Sequence, residues 1–206
     1  MRVTQETKTK TRGAILDAAR KLFGEKGFEE TTTRAIAVEA KIATGTLFNY
    51  FSSKEAIAMT FVREALSGAS DDFAQRRRGD ESLEEDCFAH AIAGFRRLAP
   101  YRHLVGAVID SALGPFSTGE SNPHAEVVRA DHLETVAELL AMHGIAMPLS
   151  PVAVHLYWTL YLGALGCWAA DKSPNQEETL AVLDQSMRLF VASLNHKPEV
   201  SNGTGT

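Results

Sequence analysis

Thr44, Thr46, Asn49 and Tyr50 lie within seven residues of one another. They carry hydrogen-bonding groups on short or rigid stems, the kind suited to base edges and phosphate oxygens. Thr33 and Arg34 precede them, Lys41 stands between and Lys54 follows, so cations and a further hydroxyl flank the group. Gly45 and Phe48 belong to the same run. A glycine there permits close backbone approach, and a phenyl ring can lie on a sugar or a thymine methyl. Elsewhere the chain offers no phosphate loop, zinc-finger spacing or nucleophile elbow. No nucleophile, base and orienting group can be assembled either. The chemistry expected is therefore recognition and not turnover: no enzyme, no cofactor and no metal. His124 and His132, eight apart on one predicted helix with Asp131 beside them, have residue types that can bind a metal, but isolated surface or core histidines are the commoner reading.

To reach a groove together, these groups need two short crossing helices. Residues 32–51 read TTRAIAVEAKIATGTLFNYF. Ile36, Ala37 and Ala40 recur at helical spacing and Ile42 falls in a turn. Leu47 and Phe51, four apart, share one face of a second helix. The other face keeps Thr44, Thr46, Asn49 and Tyr50. A helix, a turn and a helix with such a polar second face is the shape of a major-groove reader. Short helix pairs occur throughout all-helical proteins, so this pattern alone leaves other readings open.

The wording of the stretch narrows the choice. TGTLFNYFSSKEAI (44–57) resembles the signature of the TetR family of bacterial transcriptional regulators, and RGAILDAARKLFGEKGFEETTTRAIA (12–37) resembles that family's first helix and its approach to the second. The resemblance covers about residues 9–62. Two positions depart from it: Lys41 stands where the family usually has Gly, and Ala43 where a capping Ser is usual. A lysine held at φ > 0 costs about 1 kcal/mol and offers an extra phosphate contact, and Thr44 can take over as cap. By position, Thr33, Tyr50 and Lys54 are expected to hold phosphates, and Thr44, Thr46 and Asn49 to lie nearest base edges. Arg34 reads equally as a phosphate contact or a solvated residue.

The net charge of −5 conceals an asymmetry. Residues 1–54 hold ten Lys/Arg and six Asp/Glu, net +4, whereas residues 55–206 hold eleven and twenty, net −9. A basic head on an acidic body is what a small nucleic-acid module joined to a non-binding domain should show. The opening MRVTQETKTKTR has no apolar core of a signal peptide. Cys87 and Cys167 fit no metal or redox spacing and read as reduced thiols of a cytoplasmic protein.

In chain order, an all-α protein of about nine helices is predicted. A three-helix head (8–53) begins with a helix over 9–26, and Thr32 caps its second helix. A long helix (54–78), capped by Ser52 with Glu55, links the head to the body, and Arg76, Arg77 and Arg78 are its solvated end. The body (79–195) opens with a capping box at Ser82 and Glu85. Helices follow over 101–113 and 123–143, with a turn-forming loop over 114–123. Ser150 and Pro151 start the next helix, whose residues 152–170 include no charge. That run is read as a helix buried on every side rather than a membrane span. A third capping box, Ser173 with Gln176, opens the last helix, and the tail 196–206 is expected to be disordered.

Three partners are expected: double-stranded DNA, a second copy of the chain and a small, mostly apolar effector. A two-fold homodimer through residues 151–170 and 173–194 would set the heads on a palindromic operator about 34–36 Å apart. The resemblance implies this interface, and it implies an effector cavity in many members. Phe88, Phe95, His103, Asp110, Trp158, Tyr161 and Trp168 are the pocket candidates. The function expected is an effector-released repressor. The alternative is a small-molecule-binding protein of the same fold whose head does not bind DNA.

Overall fold

The computed structural model describes residues 4–109, 113 and 123–195. Ten α-helical segments occur among them and no strand: α1 (Gln5–Lys26), α2 (Thr33–Glu39), α3 (Thr44–Phe48), α4 (Lys54–Leu66), α5 (Ala69–Arg76), α6 (Leu83–Leu98), α7 (Arg102–Val108), α8 (Pro123–Met142), α9 (Pro151–Ala170) and α10 (Glu177–Asn195). The expected Asp110 pocket position, most of the 114–123 loop and the 196–206 tail lie outside the described residues.

The helix starts follow short-range chemistry. Thr32 Oγ1 accepts from the Ala35 amide at 3.1 Å. Ser82 and Glu85 form the expected reciprocal box, and Ser150 Oγ caps α9 ahead of Pro151. Three starts differ from expectation. α1 begins at Gln5, capped by Thr4, so it is four residues longer than predicted. The cap of α4 is Ser53, which accepts from Ala56, and not Ser52. α10 is capped from further back: Asp171 accepts from both the amide and the hydroxyl of Thr179, while Ser173 accepts from the Glu178 amide. Asn175 and Gln176 take left-handed backbone, so the predicted Ser173–Gln176 box does not form.

The predicted link 54–78 is two helices. Ser67 is extended and Gly68 has φ +86°, which ends α4 and starts α5. The Arg97 guanidinium of α6 fixes this joint: it donates to the Ser67 carbonyl at 2.9 Å and holds Asp72 with two bonds. A side chain at position 68 would meet that guanidinium at 3.1 Å.

One continuous apolar cluster runs through head and body. Ile15, Ala19, Phe23, Ile36, Leu47 and Phe51 fill the head, and Ile57 and Phe61 of α4 complete it. Phe61 meets Phe23 edge-on at 6.3 Å and stacks on Tyr101 at 5.6 Å, so α4 joins the two parts through aromatic packing. In the body, α4 packs on α6, α7 and α8, and α9 packs along α10. Asp86, fully buried, is held by the Arg77 guanidinium and by His143 at 2.7 Å, so the arginine run predicted as a solvated helix end supplies an internal ion pair.

α9 is not covered all round, contrary to expectation. Tyr157, Trp158, Tyr161, Leu162, Leu165 and Trp168 are buried. Val152 and Leu156 face solvent, as do Leu180, Val182 and Leu189 of α10. By length and composition α9 is also the one described helix that meets the requirements for a membrane span.

Candidate nucleic-acid interface

The head places α2 and α3 around a left-handed turn. The Ile42 amide donates to the Ala37 carbonyl and the Lys41 amide to Val38, each at 3.0 Å, while Lys41 takes φ +57°. This is the Schellman arrangement, usually made with glycine. Lys41 adopts it with its side chain exposed, and half-buried Ile42 packs on the core beneath. Position 43 is the N-cap of α3 and makes no side-chain cap bond. Thr44 is already the first helical residue, so it does not replace the missing cap.

α3 is pinned from below. Leu47 is fully buried and Phe51 nearly so. The opposite side presents Gly45, Phe48 and Asn49 to solvent, with Thr44, Thr46 and Tyr50 half-buried at its edges. Phe48 is 50% exposed, a large apolar surface for a short helix end. Arg34 is exposed and Thr33 half-buried at the start of α2. Nine of the ten expected contact residues thus lie on α2, in the turn, on α3 or just beyond its end, and each is exposed or half-buried. A salt bridge of 2.6 Å between Lys21 and Glu39 ties α1 to α2, and that hydrogen bond holds the Glu39 carboxyl below the usual carboxylate range.

Lys54, the tenth, is otherwise engaged. Its ammonium donates to the carbonyls of Phe28 and Glu29 at 3.0 and 3.2 Å and sits 4.3 Å from the Phe28 ring centroid. It holds the α1–α2 loop against the start of α4.

The expected effector residues do not converge on one cavity. Trp158 and Tyr161 stand together, ring centroids 5.5 Å apart. Phe95 and Trp168 stack on each other at 5.4 Å in the solid core. Phe88 lines a surface groove with Leu180, and His103 is exposed on α7. Among the described residues, a space that opens into the body lies between α4, α6 and α8. It is a cavity of about 160 Å³ walled by Leu66, His90, Gly94, Val128 and His132, with Arg63, Ser67, Ser70 and Asp131 at its rim. A narrower apolar cleft shares Leu66, Val128 and His132 with it and continues to Trp158 and Tyr161.

His90 was missed in the sequence. A signal existed: Asp86, His90 and Gly94 are spaced by four on the buried side of α6, where a wholly apolar row would be expected. Burial pushes the His90 pKa down to about 4 and that of His132 well below its ordinary value. Burial likewise holds the Tyr157 and Tyr161 phenols above theirs. At neutral pH the chamber's inner polar groups are therefore uncharged.

Comparison with known proteins agrees with this geometry. Residues 15–59 match the family model described as bacterial regulatory proteins, tetR family. The transcriptional regulator UidR of Escherichia coli K12 is 42% identical over 52 residues, 25% of this chain and 26% of that protein. The transcriptional repressor KstR2 of Rhodococcus jostii RHA1 is 41% identical over 71 residues, 34% and 33% of the two chains. The matched segments thus span about a quarter to a third of these curated relatives. The whole fold resembles that of Thermus thermophilus FadR, a TetR-family repressor solved in complex with lauroyl-CoA: TM-score 0.67, 22% identity, 93% of this chain and 99% of that one. A TetR regulator from Rhodococcus sp. RHA1 gives TM-score 0.68 at 21% identity, over 91% and 98%. Residues 15–59 thus match the tetR family model, and the chain as a whole shares its fold with solved TetR-family regulators.

Proposed function

We propose that this protein is a sequence-specific DNA-binding transcriptional regulator of the cytoplasm, a repressor that a small molecule releases from a palindromic operator. The observation that carries the reading is α3 itself. Leu47 and Phe51 fix its underside in the core, and its first turn offers Thr44, Gly45 and Thr46 with Phe48 and Asn49 beside them. A helix held this way enters a major groove N-terminus first. Thr44, Thr46 and Asn49 then read base edges, while Thr33, Arg34, Lys41 and Tyr50 hold phosphates. The regular turn at Lys41 favours this reading over a head that has lost DNA binding. The curated relatives are regulators and not enzymes.

The exposed apolar side chains of α9 and α10, Val152, Leu156, Val182 and Leu189, support a homodimer, because an apolar patch of this kind is what a chain buries against a partner. FadR of T. thermophilus was solved with lauroyl-CoA. The interior space here, about 160 Å³, suits a much smaller effector.

Selection of bound sites from random duplexes tests the function. An inverted repeat whose half-site centres lie about 34–36 Å apart is expected. Recovery of no preferred sequence, with binding that depends only on salt, would reject sequence-specific regulation.

A further inference from the structure

The cavity between α4, α6 and α8 contains an unusual wall. His90 is 3% exposed, and neither ring nitrogen has a hydrogen-bond partner. Its ring lies 4.7 Å from His132 and edge-on to Phe73 at 5.6 Å. His132 in turn shares a 2.9 Å hydrogen bond with the Tyr157 hydroxyl and packs 4.1 Å from Tyr161. A buried imidazole with both nitrogens idle is rare in a folded core and calls for an explanation. The glycine one turn along α6 gives a second clue. A Cβ at Gly94 would meet Leu66 at 3.4 Å and the Tyr161 hydroxyl at 3.8 Å, so this helix-weakening residue keeps the space beside that hydroxyl clear.

We infer that this cavity is the effector site and that its ligand is a small uncharged aromatic alcohol, of the phenol class, whose hydroxyl bonds to His90. This rests on the reading of the body as an effector domain. Size sets the first limit: a cavity of about 150 Å³ takes a benzene-sized molecule, and this one is about 160 Å³. Shape sets the second, because two flat rings, His90 and His132, 4.7 Å apart, stand in the wall of the cavity and suit a flat guest. Charge sets the third. The inner polar groups are neutral at pH 7, so a carboxylate or ammonium would lose its hydration with no buried counter-ion. A hydroxyl suits a neutral imidazole whichever nitrogen carries the proton, accepting from one or donating to the other.

Calorimetric titration of the full-length protein with phenol, toluene and benzoate tests this without DNA. Toluene has phenol's shape but no hydroxyl, and benzoate carries a charge. Phenol is expected to bind about tenfold more tightly than toluene, equivalent to about 1.4 kcal/mol, and benzoate more weakly than either. On binding, the His90 ring-nitrogen NMR signals should shift. His90→Leu should abolish the preference for phenol over toluene, and His90→Gln should keep part of it. Gly94→Ala, a change favourable to the helix, should weaken all three ligands. Equal affinity for phenol and toluene in the unaltered protein, preference for benzoate, or no binding by any probe would overturn the assignment, and none of these needs a variant to fold. If phenol binds as described but operator affinity is unmoved, the site stands and the effector role fails.

Discussion

Lys41 and His90 are the two residues whose local state is least comfortable, and each invites a measurement. Lys41 sits at φ +57° in a turn made elsewhere by glycine. Lys41→Gly is expected to stabilise the protein by up to about 1 kcal/mol, read as a higher urea midpoint. If the lysine holds a phosphate, the same change should flatten the salt dependence of DNA binding by about one unit; an unchanged slope would remove Lys41 from the contact set. His90 is neutral in the folded protein because burial lowers its pKa to about 4. Its ordinary value is about 6.5. Above that pH both states are neutral and stability is full. As pH falls below it, the unfolded chain takes up a proton that the folded chain refuses. Stability should therefore drop by about 2 kcal/mol between pH 6.5 and 5, before most carboxylates titrate. A urea midpoint that holds constant across this window, or one that falls equally in His90→Leu, would contradict it.

At the scale of elements, local chemistry was legible and long-range chemistry was not. The caps at Thr32, Ser82 and Ser150 could be read because a cap oxygen and the amide that donates to it lie three residues apart. The buried and exposed sides of α3 could be read for the same reason, the pattern being contained in one short stretch. The break between α4 and α5 could not, since helical spacing runs on through Ser67 and Gly68 and the break is held by Arg97, thirty residues away from Ser67. Lys54 looked like a phosphate ligand because its partners, the carbonyls of residues 28 and 29, leave no mark in sequence. The chamber was missed because aromatics on α9 drew the reading, while its working groups come from α4, α6 and α8. Gly68→Ala probes the break directly. A left-handed alanine costs about 1–2 kcal/mol, and its Cβ would press on Arg97. We expect a melting temperature lowered by several degrees. An unchanged melt would mean that the joint tolerates another geometry.

For the whole molecule, the proposed homodimer makes the outer face of α9 and α10 the surface that would set how two heads act together. Val152 and Leu156 on one helix and Val182 and Leu189 on the other are exposed in a single chain. Leu189→Glu should convert a dimer to a monomer in light scattering and weaken operator binding by at least tenfold, because each half-site is then met alone. A variant that stays dimeric would place the interface elsewhere. The stacking of Phe61 on Tyr101, and of Phe23 against Phe61, bears on a different question, that of modularity. The helix that bridges the two parts also plugs the interior of the smaller one. A swap of specificities between relatives cut at residue 53 would transplant a reader with a hole where Ile57 and Phe61 belong. Recombination would conserve a working protein only if the crossover fell after Leu66, so the unit of inheritance is the reader together with its stalk.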